Sequence, residues 1–360
     1  MRSLVKVFRY SSRALEGRRT DTDTLPPAVT VAPTSGGSGA TETTMSRICI
    51  ITPTRARDLM QFSLLRRSIK LFAPGFPHIA IVNTEDYRTF RERFAREDHL
   101  EIVKSAEVLP RSVEYQRRRS GIRRWFRMFR HMPFGVIGRW HAQQIMKLNV
   151  LAECRYESAA FFDSDVFICR PIGLDYFHVG DRLKLYRRPA PHAECMDFDI
   201  ATHEIIGNPL HRVTQLYDYI YSPTCFKKST AVRLFQELRA RGRSSWVRRF
   251  VAQRRPSEYH LLGYAATVLE RGAGYAPIEC NPEDLHHSIR YEEDRARLAA
   301  EIERMKAQPK DFALIQSSLG LTFEQCLEAF EAVAAAHEVS FGAAPFAKVA
   351  ASPLAIGRGT

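Results

Sequence analysis

No stretch of this 360-residue chain is apolar for long enough to span a bilayer, and its amino terminus lacks the uninterrupted apolar run of a secretory signal. Cysteine is sparse and unpatterned. The seven residues Cys49, Cys154, Cys169, Cys195, Cys225, Cys280 and Cys326 are odd in number and never stand as Cys-x-x-Cys, which excludes a cysteine zinc ribbon. Reduced thiols are therefore expected, in a cytoplasmic protein that is either soluble or peripheral at the inner face of the membrane. Acidic residues are in deficit, 40 against 53 Lys and Arg, and the formal net charge of +13 favours anionic partners: nucleotide phosphates, acidic glycans, nucleic acid or a membrane surface. No internal repeat is present, so a repeat array is excluded. With 45% hydrophobic and 26% charged residues, there is material for one large α/β domain or two small ones.

Residues 1–45 turn from Arg-rich to Thr/Pro/Gly/Ser-rich, a composition too poor in apolar surface to offset the entropy of ordering. They are expected to be disordered, or to precede a true start at Met45. A main domain over 46–320 and a carboxyl-terminal helix with a flexible tail over 321–360 complete the division. Arg47 to Thr52 reads as a buried strand ending at Pro53. Asp58 fits a helix N-cap with Gln61 as its box partner, and Phe62, Leu65, Ile69 and Phe72 keep one apolar face until Pro74. A strand at His78 to Val82, a polar turn at Asn83 to Asp86, and a short strand at Glu101 to Val103 come next. A helix from Trp140 to Ala152 leads to an apolar strand at Ala159 to Phe162. Thr322 caps a last helix that carries Phe323, Leu327 and Phe330 on one face. Strand, helix, strand order predicts a parallel α/β sheet with functional loops at the carboxyl ends of its strands.

Phe161-Phe162-Asp163-Ser164-Asp165-Val166 places two carboxylates, one residue apart, directly after a buried strand. Such oxygens can hold a divalent cation that neutralises a departing diphosphate. The same residues also fit a solvated turn, or the Asp-x-Asp-x-Val nucleophile loop of haloacid-dehalogenase-type phosphatases with Asp163 as nucleophile. That enzyme class needs a later acidic pair, and Gly180-Asp181 leads instead into Arg182-Leu183-Lys184. Trp140, Gln143, Gln144 and Lys147 stand at helical spacing on one face. The indole and amides suit sugar recognition and the ammonium suits a phosphate, although an exposed polar face would look the same. Glu258, in Ser257-Glu258-Tyr259, could orient an acceptor hydroxyl or act as general base, or simply favour a helix amino terminus. In His286-His287-Ser288 one imidazole is a candidate metal ligand, though surface histidine pairs are commoner.

Together these segments resemble a family. Ile51-Thr52-Pro53-Thr54, Asp58 and Leu64-Leu65-Arg66-Arg67-Ser68 resemble the amino-terminal pattern of a bacterial group of uncharacterised GT-A-like glycosyltransferases. Gly138 to Leu148 is similar to that group's Trp, double-Gln, Lys-Leu helix, and Asp163-Ser164-Asp165 with Arg170-Pro171 to its Asp-x-Asp strand end. Ser257 to Gly263 resembles its acceptor-side motif, and Ile315-Gln316-Ser317-Ser318 its carboxyl-terminal signature. The resemblance covers roughly Met45 to Gly320 in consistent order. It implies a GT-A fold: an α/β, Rossmann-like mixed sheet flanked by helices in a single main domain. It further implies hexose transfer from a UDP- or GDP-linked donor to a glycan or lipid-linked acceptor, with manganese or magnesium. By that resemblance Asp165 and Asp163 serve the metal and donor, His287 is a third ligand, Thr52 and Pro53 lie beside the nucleotide, and Trp140, Gln143, Gln144 and Lys147 shape the donor pocket. Glu258 falls on the acceptor side, as base if configuration is inverted.

Arg117 to Arg130 holds seven arginines interleaved with Trp125, Phe126, Met128 and Phe129, and Arg241 to Arg255 is a second basic stretch. Arginine with aromatics suits phosphate-bearing lipid, single-stranded nucleic acid or acidic polysaccharide, and contact with an anionic membrane through Arg117 to Arg130 is the expectation. A solvated basic loop has the same composition. A non-catalytic polyanion-binding protein is the remaining competitor; for a glycosyltransferase no nucleic-acid partner is expected.

Overall fold

Ile48–Thr54 (β1) is buried at every position, as befits a strand covered on both faces. In the computed structural model it pairs in parallel with His78–Val82 (β2) on one side and with Ser158–Phe161 (β4) on the other. Leu100–Lys104 (β3) extends the sheet beyond β2, also in parallel. Thr224–Lys227 (β9) closes the other edge antiparallel to β4, giving the order β3-β2-β1-β4-β9. The structure describes residues 47–123, 139–189, 193–207, 216–240, 245–253, 255–289, 296–308, 310–316 and 319–335. The expected amino-terminal extension, residues 124–130 of the first basic stretch and Ser317-Ser318 lie outside them.

The Leu59–Phe72 helix connects β1 to β2, and the Arg139–Glu153 helix precedes β4. Both bury apolar faces: Phe62, Leu65, Ile69 and Phe72 from the first, Ala142, Ile145, Leu148 and Leu151 from the second. Two smaller sheets continue the mixed α/β architecture. Val166–Ile168 (β5) pairs antiparallel with Phe312–Ile315 (β12), which runs parallel to His286–Ile289 (β11). Arg182–Pro189 (β7) pairs with His178–Val179 (β6), with Tyr217–Asp218 (β8) and with Tyr275–Glu279 (β10). One hydrophobic cluster runs through all three sheets. It includes Phe330 of the Phe323–Ala335 helix, whose ring meets Phe167 at 5.8 Å, so the helix set apart at residue 321 packs on the same core.

The two anticipated capping boxes differ. At Thr322 the hydroxyl accepts the Gln325 N–H at 3.3 Å, and the Gln325 side chain accepts the Thr322 N–H at 3.0 Å, so the box is complete. At Asp58 no capping hydrogen bond forms: a 3-10 turn, Ala56–Asp58, leads into the helix and leaves Asp58 at φ −100° and ψ 14° instead of the extended backbone of a cap, while Arg55 Nε donates to its Oδ2 at 2.8 Å.

Candidate functional site

Strand order reverses at β1, whose neighbours β2 and β4 are reached by chain running in opposite senses. In open α/β sheets that point opens a crevice outside the carboxyl ends of the strands. β4 ends there at Phe161, and Phe162-Asp163-Ser164-Asp165 follow. The Asp163 side chain is 47% exposed, while its backbone N–H donates to Ser222 Oγ at 3.3 Å.

Beneath Asp163 lies a cation. Lys147, two turns into the Arg139–Glu153 helix, has a side chain only 3% exposed, and its Nζ donates to Asp163 Oδ1 at 2.9 Å and to the Tyr259 hydroxyl at 3.1 Å. Glu258 Oε1 stands 2.9 Å from the same nitrogen. This last approach is an ion pair off the line of a hydrogen bond, and Glu258 Oε2 has no hydrogen-bond partner. The ammonium thus makes two hydrogen bonds and one further ion pair. Burial disfavours its charge, but Asp163 and Glu258 outweigh burial and hold it protonated well above the ordinary lysine value. Glu258 is wholly buried; burial raises its carboxyl, and Lys147 only partly reverses the effect.

Gln144 fixes the other end of this arrangement. Its Oε1 accepts the Glu258 N–H at 3.2 Å, at the amino terminus of the Glu258–Tyr264 helix, where Ser257 caps by accepting from the His260 N–H. The structure therefore brings Gln144, Lys147, Asp163 and Glu258 together, as the face spacing of the helix suggested for the first two. Tyr259 and Ser222 join them. Tyr259 is Glu258's neighbour in sequence and could have been found from it; Ser222, 59 residues beyond Asp163, carries no signal of its own.

Other expected residues lie outside this hydrogen-bonded cluster. Thr52 is fully buried, and its hydroxyl meets His78 Nε2 at 3.0 Å, in a chain that continues from His78 Nδ1 to Arg66 Nη1 at 3.3 Å. Pro53 is buried in β1, in register with Ile81. Trp140, 38% exposed, lies at the helix start and packs against Phe198 with centroids 6.1 Å apart; Gln143 is half-buried on the same helix. His286 Nδ1 is bonded to Ser288 Oγ at 2.8 Å. His287 stands beside Ala313, itself opposite Phe167, so its face of the small sheet is the one covered by Phe330. There its Nε2 meets the Gln308 carbonyl oxygen at 2.5 Å. No group of three or more His, Cys, Asp or Glu side chains among the described residues is gathered so as to hold a metal ion, and the set Asp163, Asp165 and His287 is not assembled.

The basic stretches also divide. Arg117 is buried rather than presented: its guanidinium bonds Glu85 at 2.9 and 2.6 Å and Glu114 at 2.7 and 2.9 Å. Burial would raise Glu114, yet Arg117 and Arg118 hold it down at about 2. Arg249 donates to the Ile205 carbonyl at 2.5 Å and the Leu238 carbonyl at 2.6 Å, closing the carboxyl ends of two helices. Among the described residues no helix is long and apolar enough to cross a membrane, and Cys49, Cys154, Cys169, Cys225, Cys280 and Cys326 are free thiols. Gly180-Asp181 forms the exposed turn between β6 and β7.

These features define a mixed α/β protein with an ion cluster at the switch point of its main sheet. The chain belongs to DUF6492, a family of unknown function that matches residues 45–337. No curated protein matches it. Among solved structures it is similar to the galactosyltransferase LgtC in complex with donor and acceptor sugar analogues, with 9% identity, 78% of this chain and 95% of that one covered, and a TM-score of 0.40. It is also similar to mouse xyloside xylosyltransferase 1 in its apo form, with 8% identity, 77% and 100% covered, and a TM-score of 0.38.

Proposed function

We propose that this chain is a GT-A-type glycosyltransferase that moves a sugar from a UDP- or GDP-linked donor to a glycan or lipid-linked acceptor. The observation that carries the reading is the Lys147, Asp163, Glu258 cluster at the switch point of the main sheet, where α/β folds place phosphate-bearing ligands. An ion pair built only for stability would be an expensive choice at this depth, since burying charge seldom gains net stability. Asp163 is the half-exposed member, so it is the one that meets the donor, with Oδ1 held by Lys147.

In this reading Asp163 and Asp165, which follow β4 at the switch point, would hold a manganese or magnesium ion, since such ions are commonly held by one or two carboxylates together with substrate phosphates. Bound there, the ion would supply charge neutralisation for the departing diphosphate. Glu258 has no exposed surface and reaches no acceptor from its position. Its part is to hold Lys147, and through Lys147 the orientation of Asp163, which makes it a positioning residue.

The test is donor turnover without an acceptor. Incubation with UDP-, GDP- and CDP-sugars and manganese, followed by chromatography for free nucleoside diphosphate, should show slow release from one nucleotide family, at least tenfold slower in Asp163→Asn. No release from any donor by folded protein, or equal release by the variant, would count against the reading.

A further inference from the structure

Trp140 is one of nine large apolar side chains exposed among the described residues, and it is not a loose one. Its indole packs on Phe198 at 6.1 Å, Phe198 stacks on the buried His260 ring at 5.1 Å with 27° between planes, and the Arg255 guanidinium lies 6.0 Å from the Phe198 centroid. His141, next to Trp140, meets the Gln253 carbonyl oxygen through Nε2 at 3.0 Å, which ties the helix start to the segment just before Arg255. Asp197 adjoins Phe198, and its Oδ2 stands 4.0 Å from Arg255 Nη1, at the outer limit of an ion pair. Both side chains stay open, 50% and 40% exposed. The exposed indole and the Arg255 guanidinium thus both lie against the Phe198 ring, and Arg255 is not saturated by Asp197.

We infer that Trp140, with Asp197 and Arg255, is a saccharide-binding platform that takes an uncharged pyranose ring of the acceptor. The electron-rich indole face attracts the C–H face of such a ring. Neighbouring sugar hydroxyls both donate and accept, so they match a carboxylate acceptor beside a guanidinium donor fork. A phosphate would meet repulsion from Asp197, and an alkyl chain would gain nothing from either charge. Trp140 and Lys147 share one helix face, seven residues or about 10 Å apart along the axis, with Gln143 between them. The platform therefore serves a sugar beyond the one that reacts. This inference rests on the glycosyl-transfer reading for its role, but the binding itself does not.

The experiment is saturation-transfer NMR on the full chain with cellotriose, chitotriose, maltotriose and laminaritriose, run alongside the thermal shift produced by nucleotide sugars with manganese. Wild type should transfer saturation to ring protons of at least one trisaccharide, Trp140→Ala should lose at least four-fifths of that signal, and Trp140→Phe should keep about half, while the nucleotide-induced shift persists in both. Trp140→Phe also guards against a folding defect in the alanine variant. Silence across the trisaccharides in protein that still responds to nucleotide, or equal signals in wild type and Trp140→Ala, overturns the platform. Binding to anionic phosphatidylglycerol vesicles that Trp140→Ala abolishes, without saccharide transfer, overturns it in favour of a lipid contact. Saccharide transfer without any nucleotide response leaves the platform standing and removes the donor reading instead.

Discussion

The Glu258–Tyr264 helix feeds two buried charge clusters of opposite character. At its first residue Glu258 joins Lys147 and Asp163, where a cation sits among oxygens within 3.1 Å. Two residues on, His260 faces Asp199 and Asp218, with Nε2 standing 4.0 and 3.9 Å from their Oδ1 atoms, too far for hydrogen bonds. Asp218 is engaged by Arg188 at 3.0 Å and by the Ile220 N–H at 2.9 Å, but both His260 nitrogens and Asp199 Oδ2 have no hydrogen-bond partner. Burial and the Asp218 charge push Asp199 up to about 7, and burial, opposed by Asp218, pushes His260 down to about 4. In the first cluster the charges are kept by pairing. In the second they are suppressed by burial, which is the alternative open to buried ionisable groups.

Lys147→Met should break the contrast most severely. It leaves Glu258 buried without its cation, and an orphaned buried charge costs roughly 3–5 kcal/mol. Urea unfolding measures that loss; a change below about 1 kcal/mol would mean that the cluster is not held by its lysine.

Asp199→Asn should act in the opposite direction and depend on pH. A carboxyl raised from its unfolded value binds its proton more tightly when folded, so its contribution is complete below the ordinary carboxylate range and is lost as pH rises through about 7. His260 is lowered, so its contribution is complete above about 6.5 and is lost as pH falls through about 4. In wild type the two trends oppose each other between about pH 4 and 6.5. Asp199→Asn removes the first, so the variant should gain stability with pH across that window, and near pH 8 it should exceed wild type by up to about 4 kcal/mol. Parallel stability curves for the two proteins would refute the assignment of charge in this cluster.

Gly263→Ala should be milder. A methyl group there would stand 2.4 Å from the ring of Tyr219, which is buried and lies edge-on to His260, so roughly 1–3 kcal/mol of overpacking is expected in thermal unfolding. Smallest of all, Thr322→Ala should remove the capping hydroxyl at a cost of about 1 kcal/mol, with the pH dependence unaltered, because it touches neither cluster.

The same contrast marks how far the amino-acid sequence could be read. β1, β2 and β4 were legible because their apolar runs are bounded by proline, polar turns and the Asp-x-Asp pair, and the mixed sheet flanked by helices follows from that order. Half of the first cluster was legible too, since Gln144 and Lys147 share a helix face and Asp163 ends a strand. The depth of Glu258 was not, because a glutamate in a first helical turn is usually solvated, and only Lys147 from a distant helix makes its burial tolerable. Asp199, Asp218 and His260 gave no signal at all: they come from three separate segments, and each reads alone as an ordinary polar residue. Asp58 and Thr322 carry the same capping pattern, yet the 3-10 turn at Ala56–Asp58 takes Asp58 out of the extended backbone that a cap needs. Such local backbone geometry is not set by residue spacing. His287 shows the same limit, since which side of β11 faces helix or crevice depends on register with β12.

The most direct test of the central claim, that the paired cluster and its strand-end aspartates are the ligand site, is a thermal-shift comparison of wild type, Asp165→Asn and Asp199→Asn. Each is titrated with UDP, GDP, CDP and their sugars, with manganese or with chelator; binding to the folded state raises apparent stability by mass action. The account predicts a manganese-dependent rise with one nucleotide family in wild type and Asp199→Asn, absent in Asp165→Asn. A rise that survives in Asp165→Asn, or no rise with any nucleotide in folded wild type, would contradict it.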